Sequence, residues 1–242
     1  PSSAASDVYK RQATTGDQIL IYPGTYEEEF PLTVPQGVSI NGAGLRSVTI
    51  TPTTETSDLD AFLLNGETTI ENLAVSEFNY NSVNDTGYAF RFAPNATITT
   101  RSPYIRNCTV ITSTANGPAG NGALVDGNSV NPSSTFVSML FHAVTMLVPN
   151  ALGVVVTNGA RCEWLNSFSY YAETGIKLLT GTEGVGGTGN TRITVSDVNG
   201  TVTLGDTFTY YSEDDINTIS SGTVVNVAGD VYELNGYVPS LV

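Results

Sequence analysis

Apolar positions in this chain come in short alternating runs, each closed by Asn or Gly, and nowhere at the spacing of a capped helix. One set of runs comprises "TIENLAVSEF" (69–78), "YIRNCTVITS" (104–113), "SMLFHAVTML" (138–147) and "CEWLNSFSYY" (162–171). Each passes through an amide-like position into a second alternating strand. Those positions read as Asn72, Asn107, His142 and Asn166, spaced 35, 35 and 24 residues apart. A second set comprises "AFLLNG" (61–66), "AFRFAPN" (89–95), "ALVDGN" (123–128), "GVVVTNG" (153–159) and "GIKLLTG" (175–181). The stretch "ILIYPG" (19–24) and "GVSINGAG" (37–44) reads as earlier copies, followed by "SVTITPT" (47–53).

Two or three short strands in a unit of variable length predict a solenoid of parallel strands, with insertions at its corners. Inward side chains would stack coil on coil, and corners would use Asn and Gly, which enter left-handed backbone at least cost. A sandwich would instead show two-residue Asn-Gly turns between neighbouring strands. After Gly181 the texture changes to "GTEGVGGTGN" and then to short strands punctuated by Asn-Gly, Gly-Asp and Ala-Gly. The expected fold is all-β: a single-stranded right-handed parallel β-helix (β-solenoid) over 13–182, a Gly-rich linker over 183–190, and a small antiparallel β module, as a domain or the start of a repeat, over 191–242. Residues 1–12 match nothing that follows. Their "SDVYKRQ" resembles translated adapter sequence at the head of reading frames assembled from environmental DNA, which implies a non-native leader on a longer protein.

The segment "GDQILIYPGTYEEEFPLTVPQGVSINGAG" (16–44) resembles the first turns of pectin-lyase-like right-handed β-helix proteins: Gly16-Asp17, a strand, Pro23-Gly24-Thr25-Tyr26, then a strand ending in Gly42-Ala43-Gly44. Together with "NDTGYAFRFAPNATITTRSPYIRNCTVIT" (84–112) and "TNGARCEWLNSFSYYAETGI" (157–176), it is similar to virion structural proteins of marine tailed phages. The resemblance covers roughly 16–182. It implies a virion structural protein such as a tail fibre, spike or capsid-associated β-helix, located on the extracellular particle. Such a protein is a non-catalytic scaffold with other virion proteins and host-surface glycans as partners. The alternative it implies is a polysaccharide lyase or glycoside hydrolase acting on host-surface polysaccharide. An open-ended β-helix must cap its ends or assemble, so a homotrimer about the helix axis is a further expected partnership.

Charge narrows the partners. The chain has 23 acidic against 9 basic residues and a formal net charge of −14, which repels phosphate backbones and argues against nucleic acid. The apolar runs are far below a membrane span. Cys108 and Cys162 have no metal spacing and read as buried small hydrophobes.

Candidate chemistry is dispersed. His142, the only histidine, occupies an amide-like slot, so its reading is structural. Carboxylates able to act in pairs are Asp58 with Asp60, Glu67 with Glu71, and Asp126 with Glu163, with Arg91, Arg106 or Arg161 as cationic partners. Asp126 and Glu163 are expected to share a face. None forms the Asp-Asp or Arg-x-x-Arg cluster that the resembling enzymes carry. Glu27, Glu28 and Glu29 read as a solvated corner, with Glu28 on the face opposite its neighbours. "SEDD" (212–215) reads as a turn. Tyr80, Tyr88, Tyr170 and Tyr171 beside Asn and Asp suit contact with sugars. The threonine alternation of "VTITPT" (48–53) is not repeated at the same coil position, so β propensity accounts for it and an ice-binding face is set aside, and the sequons "NDT", "NAT", "NCT" and "NGT" carry no weight without a secretory signal. No catalytic, metal or cofactor-binding residue is assigned.

Overall fold

The computed structural model describes residues 13–135 and 137–179, and the strand segments 191–194, 207–211, 218–228 and 231–235. Between Gln18 and Leu178 the chain winds six coils of three strands each. They are β1 (Gln18–Ile21), β2 (Gly24–Glu28) and β3 (Leu32–Val34); β4 (Ser39–Gly42), β5 (Val48–Pro52) and β6 (Phe62–Leu64); β7 (Thr69–Glu71), β8 (Ala74–Ser76) and β9 (Tyr88–Phe92); β10 (Tyr104–Arg106), β11 (Thr109–Ile111) and β12 (Asn121–Asp126); β13 (Ser138–His142), β14 (Thr145–Leu147) and β15 (Leu152–Thr157); and β16 (Arg161–Leu165), β17 (Phe168–Tyr170) and β18 (Thr174–Leu178). Every third strand pairs in parallel with its counterpart one coil on. Three six-stranded sheets result: sheet A from β1 to β16, sheet B from β2 to β17, and sheet C from β3 to β18. This is a parallel β-helix, as the sequence pattern predicts. The second set of runs supplies sheet C from β6 onward, whereas "ILIYPG" and "GVSINGAG" supply β1 and β4 of sheet A.

Alternation places one side of each strand inside, and register turns those positions into columns. Ile19, Ile40, Ile70, Ile105, Phe141 and Trp164 stack along sheet A. Phe62, Phe90, Ala123, Val154 and Ile176 do so along sheet C. Aromatic contacts cross the interior, with Phe90 and Phe141 at 6.1 Å and Phe141 and Trp164 at 5.5 Å between ring centroids. Each coil therefore buries the apolar face of its neighbour, and the sum of these nearest-neighbour contacts stabilises the rod. Cys108 lies fully buried in this core and Cys162 half-buried, both as free thiols.

The corner from sheet A to sheet B needs left-handed backbone. It is filled by Asn72 (φ 61), Asn107 (φ 49), Ala143 (φ 56) and Asn166 (φ 49). His142 is not in that slot: it is the last residue of β13, opposite Arg106 and Leu165, and it is exposed. The true spacing is 35, 36 and 23 residues (72 to 107 to 143 to 166), so the expected alignment was one residue out at this coil. The amides form a ladder: Asn72 Nδ2 donates to Asn41 Oδ1 at 2.9 Å and Asn107 Nδ2 donates to Asn72 Oδ1 at 2.6 Å. Ala143 interrupts it with a Cβ in a backbone region costing about 1–2 kcal/mol. Ala143→Asn is expected to continue the ladder and stabilise the fold by about 1 kcal/mol, read as a rise in the urea midpoint. An unchanged or lowered midpoint would show that this corner has no room for an amide.

Outward positions of sheet B also form columns. Thr25, Thr49, Ala74, Thr109, Thr145 and Phe168 make one, while Ser76, Ile111, Leu147 and Tyr170 extend the other from Glu27 and Thr51. Single threonines thus recur in the first column, but the Thr-x-Thr alternation of Thr49 and Thr51 does not: the corresponding pairs are Thr25 and Glu27, Ala74 and Ser76, Thr109 and Ile111, and Thr145 and Leu147, so the motif is confined to β5 as the sequence reading expects. Glu27 and Glu29 are exposed, but Glu28 is buried at 6% exposure, so only two of the three glutamates belong to a solvated corner.

Of the C-terminal 191–242, the described segments are the strands Thr191–Thr194, Thr207–Tyr211, Thr218–Ala228 and Val231–Asn235, with antiparallel pairing. The leader 1–12, the linker 183–190 and the "SEDD" turn lie outside the described residues. Among the described residues no helix is long and apolar enough to cross a membrane.

Candidate functional site

The densest set of titratable groups gathers where two insertions before sheet C meet, at 53–61 and 77–87. The longer loop is shaped by its own amides. Asn81 Oδ1 accepts from the N–H groups of Val83 (3.0 Å) and Asn84 (3.3 Å), an Asx turn, and Asn81 and Thr86 exchange backbone hydrogen bonds. Gly87 closes the loop at φ 94, and a Cβ there would lie 2.1 Å from the Asn79 carbonyl oxygen, so no other residue fits. The loop is tied to the previous coil through Asp58, whose carboxylate accepts from Asn81 Nδ2 (2.7 Å) and whose carbonyl accepts from Thr86 Oγ1 (2.7 Å).

Asp60 lies beneath the loop at 6% exposure. One of its oxygens accepts from the backbone N–H groups of Gly87 and Tyr88, both at 3.0 Å, and the other faces Arg91 Nη1 at 3.3 Å. The same Arg91 nitrogen donates to the Asp85 carbonyl at 2.8 Å, and the guanidinium lies 6.0 Å over the Tyr88 ring. Tyr80 and Tyr88, packed edge to face at 5.9 Å, each donate a phenolic hydrogen bond of 3.0 Å to Asp85 Oδ1. The loop is thereby pinned by a closed circuit running from Asp60 through Arg91 and Asp85 to the two phenols.

Burial raises the Asp60 carboxyl above its ordinary 3.8, opposed by the Tyr88 N–H, the Arg91 charge and the Gly87 N–H. Burial also raises the phenols of Tyr88 and Tyr80, and the Asp85 carboxylate they bond adds to it, so both remain donors at neutral pH. A raised folded pKa has a definite linkage sign. As pH rises, Asp60 ionises first in the unfolded chain and later in the folded one, so its contribution to stability is full below 3.8 and declines through the raised pKa. Asp60→Asn removes that step. Urea midpoints measured from pH 3 to pH 7 are expected to show wild type losing stability relative to the variant as pH rises. A difference that is flat or grows with pH would contradict the assignment.

The other candidates serve one coil or tie two together. Arg106 Nη donates to Glu71 at 2.6 Å across β7 and β10. Asp126 caps the short turn after β12, accepting from Asn128 N–H (2.9 Å), Ser129 Oγ (3.2 Å) and Asn158 Nδ2 (2.7 Å). Glu67 accepts from Gln36 and Thr100. Glu163 and Arg161 stand exposed on β16 of sheet A, so Asp126, at the end of a sheet C strand, does not share a face with Glu163. Among the described residues no three His, Cys, Asp or Glu side chains are grouped as a metal site. Tyr88 is buried at 3% exposure and Tyr80 half-buried, so these two do not offer their rings to a ligand; Tyr170 (47%) and Tyr171 (80%) are exposed. Asn107 of the "NCT" sequon has its amide committed to the ladder.

Asp85, Asn81 and Thr86 carry much of this circuit, yet none stood out as a sequence candidate. Their only local sign is the Asn-x-x-Asn-Asp-Thr-Gly run between two tyrosines, a turn signal rather than a chemical one. No family model, curated protein or solved structure matches the chain.

Proposed function

We propose that this chain is a non-catalytic structural β-helix, a rigid segment of a phage-like virion such as a tail fibre, spike or capsid-associated protein, working on the extracellular particle. One observation carries the scaffold reading: of the candidate carboxylates, Asp58, Asp60, Glu67, Glu71 and Asp126 are bonded from coil to coil, and Glu163 stands exposed apart from them on β16. Asp60 with Arg91, Glu71 with Arg106, Asp126 with Asn158 and the Asn41–Asn72–Asn107 ladder each fix the register of successive coils. A buried carboxylate whose oxygens are already occupied is poorly placed to take a proton from, or give one to, a glycosidic bond. The pectin-lyase-like and phage resemblance of residues 16–182 supplies the virion context.

The test is turnover. The chain, incubated with acidic and neutral polysaccharides with and without calcium, should release no reducing or unsaturated ends, and in a phage preparation encoding it the chain should sediment with the particles. Product formation would favour the lyase or hydrolase alternative. A chain that stays in the soluble lysate would sink the virion assignment.

A further inference from the structure

We propose that Asn116-Gly117 is a self-modification site: the Gly117 nitrogen closes on the Asn116 amide to form an imide, which opens to aspartate and isoaspartate and so loosens the loop at 113–120. The site is independent of the scaffold and virion readings.

The chemistry needs only this chain and water. The Gly117 N–H loses its proton to solvent base, and the nitrogen attacks Asn116 Cγ. An N–Cγ bond forms, the Cγ–Nδ2 bond breaks, and the amide nitrogen leaves as ammonia. Water then opens the imide at either carbonyl, so the net change is hydrolysis of one amide. Opening on one side gives aspartate; opening on the other gives isoaspartate, whose main chain is longer by a carbon. Asparagine is thermolabile, the attack is intramolecular, and a following glycine has no Cβ to shield its nitrogen.

The fold selects among the Asn-Gly pairs. Those lying wholly within the described residues are Asn41-Gly42, Asn65-Gly66, Asn116-Gly117, Asn121-Gly122 and Asn158-Gly159. All but one are held. Asn41 Oδ1 accepts from Asn72 Nδ2 at 2.9 Å, Asn65 Nδ2 donates to the Val34 carbonyl at 2.8 Å, and Asn158 Nδ2 donates to Asp126 Oδ1 at 2.7 Å. Asn121 is 2% exposed, and its Oδ1 accepts from the Leu152 N–H at 2.8 Å. Asn116 is exposed, and among the described residues no hydrogen bond holds its side chain or the Gly117 N–H. Gly117 holds φ 148, and a Cβ there would lie 2.6 Å from Asn79 Nδ2. The fold therefore requires glycine beside the one unheld amide of this set.

Position gives the reaction its consequence. Immediately after Gly117 the chain straps onto the 77–87 loop. The Tyr80 N–H donates to the Pro118 carbonyl at 3.0 Å, the Gly120 N–H donates to the Phe78 carbonyl at 3.1 Å, and Asn79 bridges Ala119 in antiparallel fashion. Thr112 Oγ1 anchors the far side, donating to the Gly120 carbonyl at 3.0 Å. The strap is thus fixed at Thr112 and from Pro118 onward. An extra main-chain carbon between those anchors shifts the register of the Asn79–Ala119 bridge and frees the Tyr80 N–H.

Peptide mapping by mass spectrometry tests the proposal, on the full chain aged folded in mildly alkaline buffer beside a urea-unfolded sample. In the folded chain Asn116 should convert at least about tenfold faster than Asn41, Asn65, Asn121 or Asn158. Each of those must first open locally, and an opening cost of about 1.4 kcal/mol already gives that ratio. In urea the ratio should collapse, because protection is lost while the sequence is unchanged. Aged wild type should be cut by chymotrypsin after Tyr80 several-fold faster than fresh chain. Asn116→Gln, whose side chain would need a larger ring, should age without that change. Asn116→Asp, carrying the charge without the extra carbon, should when fresh be cut at the rate of fresh wild type. The site is overturned if folded Asn116 converts no faster than the held asparagines, or if unfolding leaves the ratio as it was. Cleavage after Tyr80 at the same rate in aged and fresh wild type, or equally fast in fresh Asn116→Asp, would overturn the loosening by isoaspartate.

Discussion

Gly153→Val is expected to destabilise the β-helix by about 3 kcal/mol or more, whereas Gly175→Ala, one coil further along the same column, should leave stability nearly unchanged. The pair isolates a steric rule. Gly122, Gly153 and Gly175 follow one another at the start of the sheet C strands of the last three coils. A Cβ on Gly153 would lie 2.2 Å from the Gly175 carbonyl oxygen and 2.5 Å from Ser169 Oγ; one on Gly122 would meet the Gly153 carbonyl and the Met146 sulfur, both at 2.2 Å. The obstructing oxygens are backbone, fixed by the β12–β15 and β15–β18 pairing, and cannot move without opening the sheet. Overpacking of this kind costs 1–3 kcal/mol when side chains can yield, and about 3 or more is expected where backbone must. At Gly175 the nearest atom to a new Cβ among the described residues is Ser169 Cβ at 3.8 Å, ordinary contact, and losing glycine's unfolded freedom is mildly favourable. Thermal melts should separate the variants, with a fall of roughly 6–12 °C for Gly153→Val. Equal losses at both sites would mean that backbone propensity, not the approach of coils, explains the column.

The same geometry explains what could be read from the sequence. Alternation within each run is local, so the strands of sheet C from β6 onward and the left-handed asparagines at 72, 107 and 166 were legible. Register between coils is not local. It depends on insertions that make successive coils 21, 30, 35, 36 and 23 residues long, counting along the aligned positions 18, 39, 69, 104, 140 and 163. At "FHAV" the chain offers a histidine beside an alanine, and residue type alone favours histidine for the corner; only the pairing of His142 with Arg106 puts Ala143 there. The single threonines at 25, 49, 109 and 145 line up on sheet B only through the same register. Asp60 and Arg91 could each be marked as candidates, but their meeting depends on the β6–β9 register that sets Leu63 beside Arg91. Asp85 becomes visible only once the loop around it is closed.

Arg91→Met should cost about 2–3 kcal/mol at neutral pH, and the loss should shrink as pH falls. Arg91 is partly exposed, with 22% of its side chain accessible against 8% for Asp60, so the full 3–5 kcal/mol of a broken buried pair is an upper bound. Methionine keeps much of the apolar stem against Tyr88 but removes the cation facing Asp60 and the donor to the Asp85 carbonyl. The Arg91 charge and hydrogen bond both lower the Asp60 pKa, so their loss raises it further above 3.8. The sign follows. Above the new pKa the variant must either bury an uncompensated carboxylate or hold a proton there against the solvent, and wild type leads by the full margin. Below 3.8 Asp60 is neutral in folded and unfolded chains alike, and only the lost donor and packing remain. The gap in urea midpoint between wild type and variant should therefore narrow from pH 7 to pH 3. Adding Asp60→Asn to Arg91→Met should recover part of the loss at pH 7, since the unpaired charge is then gone while one oxygen still accepts from Gly87 and Tyr88. A gap that is constant across pH, or a double variant no better than the single, would show that Arg91 acts through packing alone and that the clamp on the 77–87 loop is not electrostatic.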